Sequence, residues 1–147
     1  MGKRLLILGG VLSFAVALLH IGIAIYGGTA YITFGAGEEF ARLDTAGSPV
    51  PALVTLGLAV VFAVCGLYAL SGAGVLRRLP LLLLGLLGIG AVYTLRGLVL
   101  LPELYMVLAG TIPATHSLTF SAVSLLIGLC YLIGMILSWK QLRRKDA

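Results

Sequence analysis

Residues 51–70, PALVTLGLAVVFAVCGLYAL, form a run of twenty without a charged side chain. An α-helix needs about 20 residues to cross a hydrocarbon core about 30 Å thick, so this run has the length and the composition of a membrane span. Three further stretches resemble it, at about residues 5–26, 81–101 and 117–139. In lipid each backbone amide must be satisfied within its own segment, and no alternation of the kind a barrel strand needs is visible. The expectation is an all-α integral membrane protein. It would be a four-transmembrane-helix bundle forming one transmembrane domain over residues 1–147.

Composition supports this reading. The chain is 61% hydrophobic and 10% charged, where a soluble domain carries roughly 25% charged residues. A soluble globule of this size leaves too much of its area in water to hide so much apolar surface. The net charge of +5 would suit nucleic acid or anionic lipid, but its distribution explains it as a topology signal, and no nucleic-acid partner is expected. Lys3 and Arg4 precede the first span, Arg77 and Arg78 lie between the second and third, and Lys140, Arg143, Arg144 and Lys145 follow the fourth. Eight of the ten basic residues thus fall on one side. The positive-inside rule makes that side cytoplasmic, with both the N- and C-termini there. Glu38, Glu39, Asp44 and Glu103 fall on or near the other side, and Asp146 alone is inside.

Met1-Gly-Lys-Arg followed by an apolar run also resembles a signal peptide. The run continues to about Tyr26, beyond an h-region of about 7–15 residues, and no small-x-small cleavage site follows at the expected distance. A retained first helix is expected.

The turn from Ser71 to Pro80 should be tight, its glycines ending the second helix and Pro80 starting the third. The outer loops, about 27–50 and 102–116, are longer. In the first, Phe40 and Leu43 are three apart among Glu38, Glu39, Arg42 and Asp44, which predicts one or two turns of amphipathic helix at the membrane surface. In the second, Pro102 and Pro113 are expected to break helices, and the apolar run from Tyr105 to Leu108 to dip into the interface.

Small residues recur at helical spacing: Ser117, Ser121, Ser124 and Gly128; Ala52, Thr55, Ala59, Ala63 and Gly66; and Gly9, Ser13, His20 and Gly27. They read as seams where helices approach closely. Cys65 and Cys130, without a CxxC pair, read as packing residues. Each precedes an Arg-Arg pair by twelve or thirteen residues, a pattern that a parallel duplication or chance explains equally.

Ionisable residues within a span are costly and raise a functional question. Arg96 lies in the third span about five residues from its outer end, and His20 in the first about six residues below its outer end. His116 opens the fourth span. Glu103 follows Arg96 by seven residues, which is two helical turns on one face. Tyr93 precedes Arg96 by three, and Tyr26 lies near the outer end of the first helix. Each has a plainer reading. Arg96 can snorkel or pair with Glu103, His20 can bond within the bundle, and His116 can simply start a helix. Their shared depth is what suggests a common outward-facing pocket.

Three function classes follow. Arg96 as anion anchor with His20 as hydrogen-bonding partner would suit binding or transport of a small anionic or amphipathic ligand, such as a lipid. Transport would call for a homo-oligomer, because four helices enclose little space. An interaction or immunity-type subunit of a membrane complex would use the outer loops as its contact surface. A small membrane enzyme on a lipophilic substrate would use His20 or Glu103 for acid–base work and Arg96 as stabiliser. No nucleophile motif, metal-binding helix motif or phosphate loop supports the last, so no catalytic or metal-ligating residue is assigned and no cofactor follows.

The segment Tyr68-Ala-Leu-Ser-Gly-Ala-Gly-Val-Leu-Arg-Arg-Leu-Pro80 resembles small four-helix inner-membrane proteins common in bacteria, many of them uncharacterised. The resemblance implies a multi-pass location in a bacterial cytoplasmic membrane and carries no functional residue. The chain is also similar in size to the four-helix glutathione and eicosanoid enzymes of membranes, but their charged helical motifs are absent.

Overall fold

The computed structural model describes residues 1–111 and 116–143, the last by its backbone alone. Pro113, the Arg143 side chain, Arg144, Lys145 and Asp146 lie outside the described residues. The described chain has seven helices and no strand: α1 (Gly2–Tyr26), α2 (Thr29–Thr33), α3 (Glu38–Thr45), α4 (Val50–Gly72), α5 (Leu82–Leu98), α6 (Leu100–Leu108) and α7 (His116–Arg143). Four stretches are long and apolar enough to cross a membrane: α1, α4, α5 together with α6, and α7. Large apolar side chains such as Leu18, Leu53, Val60, Leu84, Val92 and Leu95 stand exposed along them. That surface suits a multi-pass membrane protein, because lipid solvates it without cost.

Local chemistry sets the helix ends. Gly74, at φ 77°, takes the left-handed conformation that a side chain resists. It lets the Val75 N–H reach Leu70 O at 3.0 Å and its own N–H reach Ser71 O at 3.0 Å. This Schellman pattern satisfies carbonyls that α4 would leave bare. The same pair of bonds closes α3 at Gly47 and α6 at Gly110.

Pro102 does not stop the third span as expected. It falls in the first turn of α6, where its missing N–H would have had no partner in any case. Its cost shows one turn earlier. The helix is interrupted at Val99, because Pro102 cannot donate to Leu98 O and its ring crowds that carbonyl. Helix then resumes to Leu108, and the Glu103 N–H bonds Val99 O at 3.2 Å. Glu103 is therefore a helical residue.

The chain divides into two compact units, one of residues 1–13 and 64–147 and one of residues 14–63. In the first, α5 lies against α7. The buried residues of α5 are Leu82, Leu86, Gly90, Tyr93 and Gly97, a stripe with steps of three and four that marks one helical face. A Cβ at Gly97 would fall on the Leu125 backbone, and one at Gly128 would lie 2.6 Å from Thr94 N. The start of α1 packs on α7 in the same way, Gly9 beneath the Tyr131 ring and Gly134 beneath Leu6. Leu6, Leu86, Ile127 and Tyr131 are fully buried.

A chain of hydroxyls crosses this core. Tyr131 donates to Cys65 O at 2.7 Å, Ser13 and Tyr131 meet at 3.0 Å, and Tyr93 donates to Ser13 at 3.4 Å. Because a hydroxyl has one hydrogen, the consistent order runs Tyr93 to Ser13 to Tyr131 to Cys65 O. Each buried oxygen in it has a partner, which an apolar surrounding demands.

The second unit is organised around Tyr31, which is fully buried against Ile23 and Ala41 with Ala30 and Phe40 beside it. Phe40 meets the Tyr31 ring edge-on, with centroids 5.8 Å apart. Asp44 accepts the Gly28 N–H at 2.7 Å, tying α3 back to the bend after α1. On the outer side of α3, Arg42 holds both oxygens of Glu39. Those bonds keep the Glu39 carboxyl below its ordinary pKa and Arg42 above its own. Both groups are open to solvent, where such a pair contributes little to stability.

Two outcomes are expected. Gly128→Val should destabilise the fold by about 1–3 kcal/mol or more, because backbone cannot yield to the added carbons, whereas Gly88→Ala, with nothing near its Cβ, should be neutral or stabilising. Thermal unfolding in mild detergent reads both. Asp44→Ala should cost about 1 kcal/mol and speed amide exchange at Gly28.

Candidate functional site

The polar groups of the first unit gather where α5 gives way to α6 and both face α7. Arg96 lies near the end of α5, roughly 21 Å of helix rise from Leu82, and its side chain is exposed. Glu103 is half-buried on α6. Opposite stand Ser117 and Ser121, four apart on α7 and so on one face.

Ser121 is the hub. Its fully buried hydroxyl accepts from Arg96 Nη1 at 2.9 Å and donates to Glu103 Oε2 at 2.7 Å. Ser117 donates to the other carboxylate oxygen, Oε1. Arg96 therefore reaches Glu103 through a serine, and the carboxylate is fixed by two hydroxyls rather than by a direct ion pair. The two charges partly neutralise one another in a surrounding where an isolated charge is expensive.

The consequences for the two partners differ. Both carboxylate oxygens are occupied, and acceptor capacity directed away from the serines is all that remains. The guanidinium uses one bond to Ser121, and its planar fork carries several more donors than that bond consumes. An exposed guanidinium of this kind is built for bidentate contact with a carboxylate or phosphate.

The other expected site residues go elsewhere. Tyr93, one turn before Arg96, turns into the core. It is 7% exposed, its hydroxyl joins the Ser13 chain, and its ring stacks on Tyr131 with centroids 6.0 Å apart. His116 is the exposed first residue of α7. His20 and Tyr26 belong to the second unit. The His20 Nδ1 meets Val16 O at 2.8 Å, so that nitrogen carries the hydrogen. Its ring rests on Phe62, with centroids 4.8 Å apart. Tyr26 is 86% exposed at the end of α1.

Of the six residues singled out in the sequence, the structure joins Arg96 and Glu103. It adds Ser117 and Ser121, which the sequence offered only as a packing stripe. Their spacing from each other was visible; that a carboxylate sits across from them was not. Among the described residues no group of three His, Cys, Asp or Glu side chains could hold a metal ion. No protein-family model, curated protein or solved structure matches this chain.

Proposed function

We propose that this protein is a multi-pass protein of a bacterial cytoplasmic membrane, with both termini inside, that binds a small anionic or amphipathic ligand at its outer end. Arg96 is the anchor for the ligand's carboxylate or phosphate. Glu103, Ser117 and Ser121 set the position of the guanidinium. The observation that carries this reading is the exposed Arg96 side chain on an apolar helix, held by a hydrogen bond to one serine. The donors that Ser121 does not use are free to meet a carboxylate or phosphate in the fork-on-fork geometry a guanidinium favours.

The orientation rests on the basic residues. Gly2 packs on Ser138, and Arg78 donates to Leu142 O at 2.9 Å. Lys3, Arg4, Arg77, Arg78 and Lys140 therefore share one end of the first unit, as a cytoplasmic face would. Transport of the ligand through an assembly of several copies extends the same reading.

Arg96→Ala should weaken binding of a fluorescent fatty acid to the detergent-purified protein by about tenfold or more, the worth of a charge-assisted hydrogen bond, with little change in melting temperature. Unchanged affinity, or loss of the fold, refutes the ligand role. Ser121→Ala removes an acceptor from Arg96 and a donor from Glu103 together, and should cost about 1–3 kcal/mol of stability as well as weakening fatty-acid binding.

A further inference from the structure

The face of α5 and α6 that carries Arg96 is defined by its spacing. Val92, Arg96, Val99 and Glu103 follow one another by four, three and four residues, which keeps them on one side of a helix. The interruption at Val99 does not turn that face away, since φ −59° and ψ −21° there remain right-handed. Val92 and Val99 are exposed, so the two charged groups stand on a stripe that is otherwise apolar and open to an acyl chain.

The two charges are held apart at a set distance. Arg96 Nη1 and Glu103 Oε2 both bond the Ser121 hydroxyl, at 2.9 and 2.7 Å, and two hydrogen bonds meeting at one oxygen span roughly 4–5.5 Å. Neither group is used up. Glu103 has taken one serine bond on each oxygen, and a carboxylate has about four lone-pair sites. The guanidinium keeps donors beyond the one that Ser121 accepts. As a pair the two groups are neutral, and the stretch from Ile112 to Thr115 that leads into α7 contains no ionisable side chain. A ligand of net negative charge would leave an uncompensated charge beside an apolar surface, which is costly. One that carries both signs would not.

We infer that the ligand of this site is a zwitterionic phospholipid with a primary ammonium beside its phosphate, phosphatidylethanolamine. The inference rests on the reading of Arg96 as anion anchor and adds a second anchor to it. The phosphate accepts from Arg96, the ammonium donates to the lone pairs of Glu103 that the serines leave, and an acyl chain lies along Val99 and Val92. Two methylenes separate the ammonium from the phosphate ester oxygen, so the ligand's charges match the spacing that Ser121 imposes. Phosphatidylcholine has the same phosphate and the same net charge, but its quaternary nitrogen has no N–H to give Glu103.

The test uses full-length protein in mild detergent, titrated with phosphatidylethanolamine, phosphatidylcholine or phosphatidylglycerol of identical chains and followed by native mass spectrometry. Wild type should retain phosphatidylethanolamine over each of the others by about tenfold, the worth of a hydrogen bond to a charged group. Glu103→Gln removes the charge and should level phosphatidylethanolamine with phosphatidylcholine. A general weakening of the site would lower both lipids alike, so their ratio separates a lost contact from a lost structure. N,N-dimethyl-phosphatidylethanolamine, which keeps one N–H, should be retained by wild type like phosphatidylethanolamine itself, and this arm needs no variant. Equal retention of phosphatidylethanolamine and phosphatidylcholine, a preference for phosphatidylglycerol, an unchanged ratio in Glu103→Gln, or thermal stabilisation by free phosphoethanolamine equal to that by the lipid would each overturn the inference. If the lipids are retained equally while fatty-acid binding still falls in Arg96→Ala, the anion anchor stands and the second anchor alone fails. If Arg96→Ala leaves fatty-acid binding unchanged as well, both fail.

Discussion

Between Gly97 and Leu125, and again between Gly128 and Thr94, the backbones of α5 and α7 approach so closely that no side chain fits. Lipid tails are as apolar as leucine, so helices in a membrane gain little by hiding apolar surface from one another, and close van der Waals packing must hold them. The glycines supply that closeness. The polar contacts depend on it. Ser121 can join Arg96 to Glu103 only because its helix lies against α5, and Tyr131 stacks on Tyr93 across the same seam.

The two polar assemblies built on this seam differ in kind. The hydroxyl chain from Tyr93 to Cys65 O is neutral, buried and closed, with each donor directed to the next acceptor. It specifies how α1, α4, α5 and α7 meet within the first unit and leaves nothing for a ligand. The Arg96 cluster is charged and half-open. Each oxygen of its carboxylate accepts from a serine, while its guanidinium is exposed. That asymmetry between an acceptor held on both oxygens and an exposed donor is why an anion is the ligand proposed.

Proline shows how position changes the meaning of a residue. Read along the sequence, Pro102 is a helix breaker at the mouth of a loop. In the fold it starts a helix, and the break moves to Val99. The displacement matters for the site, because it carries Glu103 onto a helical turn facing α7. Tyr93 teaches a related lesson. It is three residues from Arg96, yet a small rotation about the helix axis separates a residue on the buried seam from one at its exposed edge.

By itself the sequence determined the class of the molecule. Four apolar runs of membrane-crossing length, the exposed apolar side chains along them, the short amphipathic helix around Phe40 and the glycine-ended turns follow from local composition and backbone preference, which need no partner. It also singled out Arg96 and Glu103, since ionisable residues in apolar segments stand out against their surroundings and a spacing of seven puts them on one face. Tertiary structure alone decided which residues complete the cluster. Ser117 and Ser121 read as small packing residues until a second helix sets a carboxylate opposite them, and Ser13 and Tyr131, 118 positions apart, carry no sign in the sequence of their shared hydrogen bond. Helix formation is a matter of neighbours along the chain. The site is a matter of neighbours across a seam, and those are fixed only when the glycines let the two helices close.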